Sequence, residues 1–184
     1  MQFRLTFQGL INANANSSHK WKIRQGFEPQ LRRLWNQIPL LGISKYRDPE
    51  YRPNNCYVGI TRHNRSYIPI ISSKLSLYAE LDVLLLSSSK PGNLLHAGGD
   101  IDNRLKTLFD ALTVPTEDQS PPPNLNIPRG NFDCLLEDDK LVRRVSVESD
   151  QLLTLDDSSK EVLAIINVSV KLARGTMGNL GLVS

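Results

Sequence analysis

The sequence predicts an α/β fold of the α+β kind: a single compact domain spanning residues 1–184, with a mixed sheet of about five or six strands and two main helices. Three observations predict it. Apolar and polar residues alternate with period 2 near the N-terminus and again at residues 75–86. Apolar stripes with helical spacing appear at residues 28–38 and 100–112. A 40% hydrophobic fraction over 184 residues fills one core, not two.

The elements follow in order. Phe3, Leu5 and Phe7 alternate with Gln2, Arg4 and Thr6, the pattern of a half-buried first strand. The Asn- and Ser-rich residues 12–18 are expected to be a loop. Over residues 28–37, Leu31, Leu34, Trp35 and Ile38 share a helical face, with Pro29 in the first turn and Pro39 closing the element. Its other face shows Arg32 and Arg33.

After a Pro-, Tyr- and Arg-rich connection, residues 56–61 and 67–72 are expected to be strands around a turn at 62–65. Residues 75–86 form a long strand entering the core, and 87–99 a loop. A second helix starts at Asp100, a favoured N-cap residue, and presents Ile101, Leu105, Leu108, Phe109 and Leu112 as a buried stripe that ends before Pro115. Residues 116–131, with three consecutive prolines, read as an exposed, partly disordered loop. Residues 141–147 and 162–172 supply two β-branched strands, and 175–184 a flexible tail.

Charge is unevenly distributed. Residues 1–70 hold eleven Lys and Arg against three Asp and Glu, the remainder eleven against sixteen, so a net of +3 conceals a basic half and an acidic half. A basic surface of that size suits a polyanion such as nucleic acid, although a merely solvated surface has the same composition. Two cysteines, Cys56 and Cys134, are too few for a disulfide framework or a cysteine-rich zinc site. His19, His63 and His96 read as surface or loop residues, with His96 near enough to Asp100 to touch a site there. The N-terminus lacks the apolar run of a signal peptide and no stretch approaches the roughly 20 apolar residues of a membrane span, so a cytoplasmic protein without membrane association is expected.

The chemistry-bearing pattern is acidic. With Asp100 as a cap, Asp102, Lys106 and Asp110 run along one flank of the second helix, and Glu137-Asp138-Asp139 follows about thirty residues later. Mg2+ takes one or two carboxylates plus waters and substrate phosphate, which such a cluster supplies. A purely structural role stands beside that reading on spacing alone: acidic residues favour a helix N-terminus, and Asp102 with Lys106 is an ordinary i,i+4 pair.

The run Asp100-Ile101-Asp102-Asn103-Arg104-Leu105-Lys106, followed by Asp110-Ala111-Leu112 and then Asp138-Asp139, resembles the signature of the RusA-type Holliday junction resolvases. The resemblance covers roughly residues 95–150; the Pro-rich insertion and the longer N-terminal arm depart from it. It implies a homodimeric, Mg2+-dependent endonuclease, with Mn2+ as an alternative ion, that nicks branched DNA at four-way junctions in recombination and repair. It further implies Asp100, Asp102 and Asp139 as metal-binding carboxylates and Lys106 as the catalytic lysine, the choice of Asp139 over Asp138 resting on the alignment.

The basic half then supplies candidate DNA-binding residues: Lys20, Lys22, Arg24, Arg32, Arg33, Arg62 and Arg65, with Trp21 and Tyr67 as candidates for base stacking beside the commoner role of packing. Rival readings are another metal-dependent nuclease acting on flaps, nicked duplex or RNA, and a junction-binding protein without turnover. An acidic DNA mimic is disfavoured by the charge of residues 1–70.

Overall fold

The computed structural model describes residues 1–51, 57–88, 101–125, 127, 130–154, 159–176 and 178–182. Among these residues seven strands form two sheets, one of four strands in the order β1-β7-β4-β6 and one of three in the order β2-β3-β5, and they pack with two α-helices. The class is the α+β expected, but the strands divide between two sheets where one had been predicted.

β1 (Gln2–Gly9) pairs antiparallel with β7 (Val162–Leu172), which pairs antiparallel with β4 (Leu77–Ser87), which in turn runs parallel to β6 (Val142–Gln151). β4 alternates strictly, with Leu77, Ala79, Leu81, Val83 and Leu85 buried and the intervening residues half-exposed, as its sequence predicts. The outer edge of β1 is protected by Gln30, whose amide nitrogen donates to the Thr6 carbonyl (2.7 Å) and whose amide oxygen accepts from the Thr6 N–H (3.0 Å).

α1 (Ser17–Trp35) begins eleven residues before the position expected. Asn16, assigned to a loop, is its N-cap and accepts from the His19 N–H at 2.9 Å. Pro29 therefore lies inside the helix and not in its first turn. The apolar stripe was hard to read because Arg24 and Glu28 occupy buried positions on it between Trp21, Phe27 and Leu31. Gly26 permits close approach to β1, since a Cβ there would lie 2.7 Å from the Phe7 ring.

The second sheet is a hairpin of β2 (Ile60–Arg62) and β3 (Arg65–Ile71), extended by β5 (Phe132–Leu136) parallel to β3. His63 and Asn64 both take positive φ at the turn, the backbone form that suits a two-residue hairpin. Cys56, the expected start of the first of these strands, lies outside the described residues. β5 was not foreseen, because all five of its residues are buried and it shows no alternation.

α2 (Ile101–Leu112) follows the expected register, though Ile101, Leu105 and Phe109 are half-exposed and Thr107, Leu108, Ala111 and Leu112 carry its burial. The main core lies between the two sheets and the helices, and Trp21, Tyr67, Val114, Phe132 and Cys134 form a second cluster.

Thr116, Glu117, Asp118 and Ser120 are exposed, as expected, and two segments carry contacts that spacing does not reveal. The described part of the Pro-rich segment is tied down: Trp21 Nε1 donates to the Gln119 carbonyl (3.0 Å), Ser17 Oγ to that of Ser120 (3.3 Å), and Arg62 to that of Pro115 (2.6 Å). In the tail, Asn179 is buried and its side-chain amide donates to the Leu75 and Arg174 carbonyls, while Leu182 joins the core. Among the described residues no helix is long and apolar enough to cross a membrane.

Candidate metal centre and nucleic-acid surface

Asp102 lies in the first turn of α2, and Lys106 and Asp110 follow at successive i,i+4 positions, so one flank carries all three. With Leu105, Phe109 and Asp139 they line an open cleft of about 310 Å3. Asp102, Lys106 and Asp139 are exposed, and among the described residues Lys106 has no ion-pair partner. Asp100 lies outside the described residues.

Asp139 reaches the cleft because the end of β5 is held on two sides. The Glu137 N–H donates to the Ile71 carbonyl (2.9 Å), and the Glu137 carboxylate accepts from Ser72 Oγ (2.7 Å), Ser73 N–H (2.7 Å) and Ser73 Oγ (2.9 Å). On the α2 side, the Val114 N–H donates to the Leu136 carbonyl (3.0 Å). The chain then turns through a short 3-10 segment, Asp139–Leu141.

Asp138 caps that turn, accepting from the Lys140 N–H at 3.0 Å. This amide, above all, holds its carboxyl below the usual carboxylate range. Glu137 is thus occupied by Ser72 and Ser73 and Asp138 by the Lys140 amide, and Asp139 is the member of the acidic triplet that lines the cleft.

Asp110 is bound from the opposite side. Lys20 of α1 places its ammonium 2.6 Å from the Asp110 carboxylate, and both groups are largely buried. Among the described residues no three His, Cys, Asp or Glu side chains come together as a ready metal cage. Two exposed carboxylates in one cleft, Asp102 and Asp139, nonetheless fit the modest protein share of a Mg2+ site, in which waters and phosphate oxygens complete the shell.

The proposed DNA-binding residues separate into groups. Lys22 and Arg33 are exposed on α1 and Arg65 is half-exposed at the hairpin. Lys20 is committed to Asp110, and Arg32 pairs with Glu28 and approaches Asp133 at 3.7 Å. Arg62 donates to the Pro115 carbonyl and lies 3.7 Å from Glu117. Arg24 is a correction: it is 1% exposed, its guanidinium donates to the Asp110 carbonyl and to Gln119 Oε1 (2.5 Å each), and it lies over the Trp21 ring at 5.2 Å. It fills a stripe position on α1, so its charge faces inward. Trp21 and Tyr67 are likewise fully buried around Phe132, at ring separations of 5.4 and 5.9 Å, which removes both as stacking platforms.

A buried ionic group was not foreseen. Asp133, in the middle of β5, has a fully buried carboxylate that accepts from Arg47 Nη2 at 2.8 and 3.1 Å. Burial pushes its pKa up to about 6, against the opposing pull of Arg47. A lone carboxylate inside the apolar run Phe132-Asp133-Cys134-Leu135-Leu136 is the sequence signal that marks it. Cys134 beside it is an inert thiol, pushed by burial up to about 12.

His19 accepts from the Asn12 N–H at 3.3 Å, burial lowers its pKa, and His63 contacts the Thr116 carbonyl at 3.1 Å; His96 lies outside the described residues. No protein-family model, no curated protein and no solved structure matches the chain.

Proposed function

We propose that this chain is a Mg2+-dependent, structure-specific endonuclease that cleaves phosphodiester bonds in four-way DNA junctions. The observation that supports this reading is the shared cleft of Asp102, Lys106 and Asp139, contributed by α2 and by the turn after β5. The same three residues belong to the signature resembling the junction resolvases.

A phosphodiester is anionic and repels an anionic nucleophile, so its hydrolysis needs positive charge placed where negative charge develops. Asp102 and Asp139 would hold the divalent ion. When bound, Mg2+ lowers the pKa of a coordinated water and offsets charge on the phosphoryl oxygens. Lys106 presents an ammonium group to the same cleft, where it stabilises the charge that grows on the phosphate or leaving oxygen. Leu105 and Phe109 supply apolar walls that limit water on one side.

Lys22 and Arg33, exposed on α1, would meet backbone phosphates, with Arg65 half-exposed at the hairpin. Two copies of the site, one for each of two opposed strands, suit a two-fold symmetric junction.

A labelled four-way junction incubated with wild type and with Asp102→Asn, in Mg2+, in Mn2+ and in EDTA, tests the proposal. Cleavage by wild type in either ion, with loss in EDTA and in the variant, is expected. Unchanged cleavage by Asp102→Asn would overturn the catalytic assignment. Linear duplex, flap and single-stranded substrates run in parallel decide the specificity, and equal cleavage of a flap would replace the junction by the broader nuclease reading.

A further inference from the structure

The four-stranded sheet buries one face in the main core and leaves the other half-exposed, with a pattern of its own. Register aligns the outward residues in rows: Gln8, Leu163, Leu86 and Asp150 in one, Thr6, Ile165, Leu84 and Glu148 in the next. Arg4, Asn167, Asp82 and Ser146 form a third row, and Gln2, Ser169, Glu80 and Arg144 a fourth. Two shallow hollows on this face, of about 400 and 140 Å3, are lined only by residues of β1, β4, β6 and β7, so no other described layer covers it there. Its centre is apolar in the first two rows, at Leu163, Leu86, Ile165 and Leu84, and polar or charged in the other two, at Asn167, Asp82, Ser169 and Glu80.

We propose that this face is the interface between two copies of the chain, packed sheet on sheet about a two-fold axis parallel to the strands and lying between β4 and β7. The rows argue for that axis. It sets β4 of one copy over β7 of the other, so Leu84 meets the second copy's Ile165 and Leu86 its Leu163. Asp82 then meets Asn167, an acceptor against a donor. β1 lies over β6, which brings Thr6 to Glu148, Gln8 to Asp150 and Gln2 to Arg144. Each charge meets a neutral hydrogen-bonding partner, and no like charges oppose.

The alternative two-fold, perpendicular to the strands and centred on the apolar residues, sets β6 over β6 and brings Glu148 against Asp150, which like-charge repulsion disfavours. Sheets stacked with their strands nearly aligned are a common packing, with about 10 Å between layers. Four strands about 4.8 Å apart and four outward rows about 6.7 Å apart give a face on the order of 500 Å2. Over both partners that is about 1,000 Å2, the lower limit of a specific interface.

The inference rests on the sheet and deepens the proposed function only in saying where the second copy sits. Sedimentation equilibrium on the full chain tests it. Wild type should be dimeric, and Leu84→Arg and Ile165→Glu should each be monomeric with unchanged far-ultraviolet circular dichroism. Because Thr6 and Glu148 lie on opposite edge strands of one sheet and meet only across the axis, Thr6→Glu should weaken the dimer and the double variant Thr6→Glu/Glu148→Lys should recover it. Ile38→Arg, at an apolar residue 86% exposed elsewhere, should leave the dimer intact.

A monomeric wild type, a dimer that survives Leu84→Arg, or a double variant no better than its parents overturns the proposal. A dimer without junction cleavage would remove the nuclease reading and leave this one standing.

Discussion

The Lys20 ammonium lies 2.6 Å from the Asp110 carboxylate, so α1 is pinned to the helix that lines the acidic cleft. The pair is largely buried, and breaking it from one side leaves a charge without its partner. Lys20→Met is therefore expected to lower stability by about 2–3 kcal/mol, more than an exposed pair would cost. Lys20→Met/Asp110→Leu should regain much of that loss. Urea denaturation of the two variants decides this, with non-additive losses as the expected result.

Asp138 and Asp139 are neighbours with separate tasks. Asp138→Ala removes the cap of the turn and is expected to cost about 1 kcal/mol while retaining most cleavage activity. Asp139→Asn should leave the melting temperature within a degree or two and reduce cleavage at least a hundredfold. The reverse pattern would move the metal-binding role to Asp138.

Asp133 confers a pH dependence on stability. Its carboxyl is raised from the ordinary value of 3.8 to about 6 in the folded chain, so the folded state binds more protons than the unfolded state between these values. Its contribution therefore falls as pH rises from about 4 to 6, by on the order of 2 kcal/mol, and is flat above that. Asp133→Asn should flatten the stability profile in this window. At pH 7 the same variant, neutral like the protonated acid, is expected to be at least as stable as wild type. Denaturation midpoints at pH 4, 5, 6 and 7 check both statements.

Arg24 and Lys22, two residues apart, should respond to different assays. Arg24→Ala removes a buried guanidinium and two short hydrogen bonds, and is expected to destabilise by about 2–4 kcal/mol. Lys22→Ala and Arg33→Ala should leave stability within about 0.5 kcal/mol and each lower the salt dependence of junction binding by about one ion. Equal salt slopes in wild type and the Lys22 variant would place the DNA elsewhere.

Period and capping made part of this structure legible. β4 and β7 alternate strictly because each buries one face, and α2 ends before Pro115 where its stripe stops. β5 has neither signal, since a strand buried throughout leaves no contrast to read. α1 starts earlier than its sequence suggests because Asn16, loop-like in composition, caps a helix with its side chain, and because Arg24, a surface residue by type, is buried on the stripe.

In the cleft, the flank of Asp102, Lys106 and Asp110 followed from the turn of a helix. The division of labour among Glu137, Asp138 and Asp139 did not, because it depends on Ser72, Ser73 and the Lys140 amide, partners that spacing does not reveal.

The anchoring of the Pro-rich segment changes what kind of surface the basic half offers. Ser17 and Trp21 hold it at the start of α1, while Arg62 and His63 hold it at the hairpin. It acts as a strut that fixes the separation of these two cationic elements when the chain folds. A ligand that spans them meets a surface already in place and loses little affinity to ordering it, so it is selected by the distance between its own charges.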